Sequence, residues 1–191
     1  MDAMETGGGS APNAAPGELE MVRQFINTRN IEEGTDELSS TNGLRAWFVE
    51  QGLVARGAKF AEKDVRFFLM MREGLRFLAI RNNGEQVEGE SLEQFNQMVG
   101  TLELGLEVGV DGNLRGVPRG GPSGQAAGRI LLAVYNSTVE GRWGKLKACK
   151  NDNCRWSFYD RSKNHSGKWC SMSVCGNRSK VKRYLSRKHT S

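Results

Sequence analysis

The chain has 191 residues, 38% of them hydrophobic and 26% charged, with a formal net charge of +5. This composition excludes a wholly disordered chain, and no apolar run reaches the roughly eighteen residues of a membrane-spanning helix. The charge is uneven: residues 142–191 hold 14 lysines and arginines against two acids, Asp152 and Asp160, leaving 13 bases against 20 acids before them. A polyanion partner should therefore meet the C-terminal part alone.

Residues 1–17 are rich in Gly, Ala and Pro, with almost nothing to bury, and read as a disordered leader. They contain no apolar stretch of signal-peptide length, so a cytoplasmic protein without a membrane role is expected. Leu19, Val22, Phe25 and Ile26 stand at helical spacing and predict a first helix ending near Thr28. A polar loop follows to Asn42, then a short helix over residues 44–51 carrying Trp47 and Phe48.

A long helix is predicted over residues 58–81, with Val65, Phe68, Leu69, Arg72, Leu75, Leu78 and Ala79 on one stripe and Asn82-Asn83-Gly84 as its stop. Ser91 with Gln94 three residues on forms a capping box and predicts another helix start. Leu102, Leu104, Leu106, Val108 and Val110 then alternate with polar residues or glycine. With a turn at Asp111-Gly112-Asn113 and a return strand over residues 114–118, they predict a hairpin with one buried face. Ser123 reads as the cap of a last helix, with Ala127, Ile130, Leu131, Val134, Tyr135 and Val139 inward and Gly141 as its end. The expected organisation is a mainly helical α+β domain over residues 18–141 and a small module over residues 142–191.

All four cysteines lie in that module, as Cys149 and Cys154, fifteen residues, then Cys170 and Cys175. Two short pairs separated by a hairpin-length stretch suit a tetrahedral zinc-tetrathiolate site, and a reducing cytosol disfavours disulfides. One structural zinc ion on Cys149, Cys154, Cys170 and Cys175 is expected; four ligands leave no open position for chemistry. His165 is a lesser candidate ligand. Between the pairs, Trp156, Phe158 and Tyr159 read as core aromatics, with base stacking as the alternative.

After Cys175, helical spacing puts Val181, Tyr184 and Leu185 on one side, against the zinc core. Arg178, Lys180, Lys182, Arg183 and Arg187 fall opposite. No acid interrupts the bases from Arg161 onward, so nucleic acid is the expected partner, with Arg155, Arg161, Lys163 and Lys168 adding phosphate contacts.

At these residues the sequence resembles the CGNR zinc-finger proteins. The tetrapeptide stands as Cys175-Gly176-Asn177-Arg178, within a wider match from Leu146 through Cys154-Arg-Trp-x-Phe-Tyr-Asp160 and Trp169-Cys170-Ser-Met to Lys180-Val. The first domain is similar to the companion ABATE domain, on Phe25-Ile-Asn-Thr-Arg29 and Gly34-Thr-Asp-Glu-Leu38. The resemblance implies a bacterial transcription regulator, with an α/β domain sensing a ligand or stress and a zinc module binding DNA. It maps the family's zinc ligands onto the same four cysteines.

The expectation is thus a DNA-binding regulator and not an enzyme, with RNA or an acidic protein as the alternative partner. Asn27, Thr28, Arg29 and Asp36, with Glu37 beside them, are candidates to line a pocket for a small-molecule effector, although turn and capping roles fit them equally. A metal-dependent nuclease working through Asp160, Asn164 and His165 is the weaker reading, since it offers a single carboxylate.

Overall fold

The computed structural model describes residues 13–86 and 89–188, apart from the side chains of Arg183 and Arg187; residues 1–12 of the expected leader, and His189, lie outside the described residues. The architecture is α+β. Helix α1 (Leu19–Asn27) is followed by a two-residue ladder of β1 (Arg29–Asn30) on β2 (Thr35–Asp36), then by α2 (Thr41–Glu50), whose start Ser40 caps by accepting the Gly43 N–H. Helix α3 (Glu62–Asn82) is the spine, and α4 (Gly89–Val99) packs on it. The hairpin β3 (Leu104–Val108) and β4 (Leu114–Pro118) leads to α5 (Pro122–Val139). The module consists of the hairpin β5 (Leu146–Ala148) and β6 (Ser157–Tyr159), a short π-turn, and α6 (Asn177–Lys188).

The core is aromatic at its centre. Phe48 and Phe68 meet edge to face at 4.5 Å between ring centroids, with Phe25 and Trp47 against them, a geometry that adds to their area burial. Leu146, Ala148 and Tyr159 belong to this same core. The cysteine module is therefore packed onto the first domain through its own hairpin.

Several expectations change. Residues 13–17, assigned to the leader, pack on the module: Ala14 and Ala15 are buried, and the Asn13 carbonyl accepts the Tyr159 N–H at 3.1 Å. Small side chains allow that close approach, and the backbone bond offsets the ordering cost. The start of α4 lies at Gly89, so Ser91 is inside the helix instead of capping it; the capping carboxylate found is Asp64 of α3, which accepts the Ala61 N–H at 2.7 Å. Pro122 opens α5 after Gly121, and Ser123 instead donates to Asp64 at 2.8 Å, holding α5 to the start of α3.

The β3–β4 hairpin has the predicted pairing but not the predicted burial. Leu104, Leu106 and Val108 share a face with Leu114, Gly116 and Pro118, yet Leu106, Val108 and Leu114 are exposed. The face meets α5 where Gly128 sits beneath Leu104 and Pro118 and where Gly116 lies against Leu132. Tyr135 and Val139, expected inward, are exposed on α5.

Candidate metal centre and basic surface

Each cysteine pair is presented by a local turn. In the first, Cys154 and Arg155 both donate backbone N–H bonds of 2.9 Å to the Asn151 carbonyl, and Arg155 takes a left-handed conformation (φ 48°) to turn the chain out. In the second, the Ser171 hydroxyl accepts the Val174 N–H and the Ser171 carbonyl accepts the Gly176 N–H. Gly176 is close-packed: a Cβ there would lie 2.9 Å from Met172 Sδ and 3.4 Å from Trp169 Cδ1.

These turns bring the sulfurs of Cys149, Cys154, Cys170 and Cys175 within 4.8 Å of one another. Cys154 and Cys170 stand 3.6 Å apart and Cys170 and Cys175 3.8 Å, far beyond the roughly 2.05 Å of a disulfide. They match the edge of about 3.8 Å that a tetrahedron of four bonds of about 2.3 Å to zinc requires. The electrostatics agree. Hydrogen bonds from the Cys154 and Cys170 thiols, with backbone N–H groups, pull the Cys149 thiol down to about 2, while that first thiolate pushes Cys154 up to about 12 and Cys170 further. Ionisation of one thiol thus opposes ionisation of its neighbours, as expected of four sulfurs sharing one site. His165 has no part in the cluster; its carbonyl accepts the Lys147 ammonium at 2.5 Å.

The module is fastened to the first domain by side chains that end on its main chain. The Asn27 amide donates to the Ser157 carbonyl at 2.9 Å and accepts the Ser157 N–H at 2.7 Å, acting as one more strand partner for β6. Asn82 donates to the Trp143 and Leu146 carbonyls, and Asn83 to those of Ala148 and Lys168. Arg76, buried in α3, donates to the Ile26, Arg29 and Arg155 carbonyls. Inside the module the buried pair Lys147–Asp160 closes at 2.7 Å. Burial would push the Asp160 carboxyl up, but Lys147, Ser162 and the Gly167 N–H hold it far below its ordinary value.

Asn27, Thr28, Arg29 and Asp36, expected to line an effector pocket, are engaged in contacts within the fold. Thr28 is buried and donates to the Phe25 carbonyl, Asp36 takes a two-pronged bond from Arg72 at 2.6 and 2.7 Å, and Arg29 faces Glu73 at 3.6 Å. These residues are polar because they join elements of the core. A cavity of about 940 Å³ lies elsewhere, among Met21, Leu53, Leu106, Leu114, Leu132 and Tyr135.

The basic residues divide into two groups. Arg155 pairs with Glu85 at 2.8 Å and with Asp152, Arg178 pairs with Glu32 at 2.5 Å, and Arg161 donates to the Ala14 carbonyl. Lys163, Lys168, Lys180 and Lys182, with Lys150, which sequence reasoning did not single out, have no acidic partner among the described residues. The side chains of Arg183 and Arg187 lie outside the described residues. Helix α6 is not seated on the metal core as expected: Val181, Tyr184 and Leu185 are about half exposed or more. The helix meets the π-turn over residues 172–176, and Ser179 is half-buried. Phe158 and Tyr159 are buried, which leaves them no face for a base.

Residues 145–188 match the family model described as "CGNR zinc finger", and residues 20–140 match the ABATE model, described as "Putative stress-induced transcription regulator". No curated protein matches the chain. Among the described residues, no helix is long and apolar enough to cross a membrane.

Proposed function

This chain belongs to the ABATE family and carries a CGNR zinc finger, and from that membership we propose that it is a DNA-binding transcription regulator. One structural zinc ion is held by Cys149, Cys154, Cys170 and Cys175. With all four thiolates given to the ion, the two cysteine turns would be tied together and no position would be left for a reacting water. The protein is a binder and not an enzyme; the Asp160 carboxylate that a hydrolytic reading needs is already taken by Lys147, Ser162 and Gly167. The same reading places it in a bacterial cytoplasm, where its thiols stay reduced.

The observation that carries this reading is the set of lysines without acidic partners on a rigidly fastened module, next to a helix exposed along most of its length. Phosphates are neutralised by Lys163, Lys168, Lys180 and Lys182, with release of counterions. The exposed Val181 and Leu185, which line a shallow groove with Asn177 and Lys182, suit apolar base edges such as the thymine methyl. Arg155 and Arg178 hold the module to the first domain, and Arg161 holds residues 13–17 to it.

The test is selection of genomic fragments by the zinc-loaded protein over a range of salt, with a Cys149→Ser/Cys154→Ser control. Enrichment of a short, zinc-dependent motif is the expected result. Uniform, steeply salt-sensitive retention would reject sequence-specific regulation, and preference for structured RNA or an acidic protein would reassign the partner.

A further inference from the structure

Two cavities flank Trp169. One, of about 640 Å³, is lined by Lys150, Asn151, Trp169, Ser179 and Lys182, with Glu32, Asp152 and Arg178 at the side of the first domain. The other, of about 540 Å³, is lined by Lys150, Lys168, Trp169, Ser179 and Lys182. Trp169 is half-buried and packs on the cysteine cluster, so the part of the indole that the cluster leaves uncovered looks into the cleft between the first cysteine turn and α6.

The cleft is cationic in a specific way. Its acids are neutralised, Glu32 by Arg178 and Asp152 by Arg155, whereas Lys150, Lys168 and Lys182 around the indole have no acidic partner among the described residues. The positions are held from behind: the Lys150 N–H donates to the Lys168 carbonyl at 3.0 Å, and Asn83 donates to that same carbonyl at 3.0 Å. An aromatic face ringed by unpaired ammonium groups fits a ligand that is flat and apolar on one side and anionic on the other. A simple anion has no use for the indole, and an apolar ligand offers nothing to the three lysines.

Resting on the nucleic-acid reading above, we propose that this cleft takes an unpaired nucleotide, its base stacked on Trp169 and its phosphates on Lys150, Lys168 and Lys182. Bases in an intact duplex are already stacked and paired, so an indole within a cleft receives only a base that is single-stranded or drawn out. The preferred target is then a strand with an unpaired segment, or a duplex opened next to the site of α6.

The test is fluorescence anisotropy with labelled oligomers of about 12 nucleotides, a length within the range that aromatic-lined grooves occupy. A single DNA strand, the RNA of the same sequence, the DNA duplex and the free mononucleotide are compared on the zinc-loaded full chain. At least one single strand is expected to bind tighter than the duplex. Trp169→Ala should weaken that binding about tenfold, the scale of one base–aromatic stack, and leave duplex binding within about threefold. Trp169→Phe should restore most of the loss, and zinc content measured on each variant confirms an intact module. Single-strand binding unchanged in zinc-loaded Trp169→Ala overturns the proposal even where duplex binding, and with it the regulator reading, survives. Failure to bind any nucleic acid overturns both, and a mononucleotide held as tightly as the strand makes the ligand a small molecule instead.

Discussion

Removing the Asn27 side chain tests the coupling of the two parts at its most local point. Its amide makes two hydrogen bonds, of 2.7 and 2.9 Å, to the N–H and C=O of Ser157, and Ser157 is fully buried. Water cannot replace the lost partner, so each orphaned backbone group costs its desolvation penalty, about 1–3 kcal/mol. Asn27→Ala should therefore cost about 2–4 kcal/mol, allowing for partial relaxation, where an exposed pair would cost about 1. Urea unfolding of the zinc-loaded protein reads this as a lowered midpoint at constant slope. Because Ser157 lies three residues from Cys154, zinc should also be lost to a chelator faster than from the wild type. A change below about 0.5 kcal/mol, the scatter of ordinary surface substitutions, would refute the reasoning. Unchanged stability with loss of an effector response would restore this asparagine to a ligand pocket.

Chelation at neutral pH should release about one zinc per chain and abolish nucleic-acid binding. The far-UV helical signal should largely remain, since the main core includes none of the cysteines; collapse of the helices would show that the first domain depends on the metal. Lys147→Met should cost about 3–5 kcal/mol by stranding the buried Asp160 charge. Lys147→Met/Asp160→Asn should recover a good part of that in denaturant unfolding, and a double variant no better than the single one would contradict this account. Burial alone would push the Asp36 carboxyl up, but its bonds from Arg72 hold it below the ordinary value. Its stabilisation is then complete above about pH 4, the unfolded value, and is lost as pH falls through the lowered folded value. The stability gap between wild type and Asp36→Asn should narrow on acidification below that point, and a gap that widens would reverse the assignment. Gly74→Ala places a Cβ 2.0 Å from the Phe95 ring, so α4 must shift at a cost of about 1–3 kcal/mol, which Phe95→Ala in the same chain should relieve.

Residue types with a short-range signature were legible in the sequence. The spacing of Cys149, Cys154, Cys170 and Cys175 carried the metal cluster, since each pair closes within its own turn. The 3.6-residue period of Leu19, Val22, Phe25 and Ile26 carried α1. What depended on distant partners was not legible. Asn27, Thr28 and Asp36 look like pocket residues because polar side chains beside apolar helices are ambiguous until their partners, Ser157, Phe25 and Arg72, are placed. The Asn82-Asn83 pair was read correctly as a helix stop, but the reach of its amides to the carbonyls of β5 has no local signature. The alternation in β3 marked a strand correctly but said nothing of how far α5 extends beneath it. Periodicity in α6 implied a seat for Val181 and Leu185, but both side chains are exposed. Trp169 and Lys150 carry no spacing signal; only the cleft between the first cysteine turn and α6 brings them together.

The bonds from Asn13, Asn27, Arg76, Asn82 and Asn83 to the module end on carbonyl or amide groups of its main chain. Main-chain atoms do not change when a sequence drifts. Apart from Arg155 and Arg178, which pair with Glu85 and Glu32, the outward side chains of residues 145–188 are thus free to diverge while the joint to the first domain persists. Grafting that segment between relatives with Arg155 and Arg178 kept should exchange the outward face without rebuilding the joint, so that one N-terminal domain can carry many different surfaces.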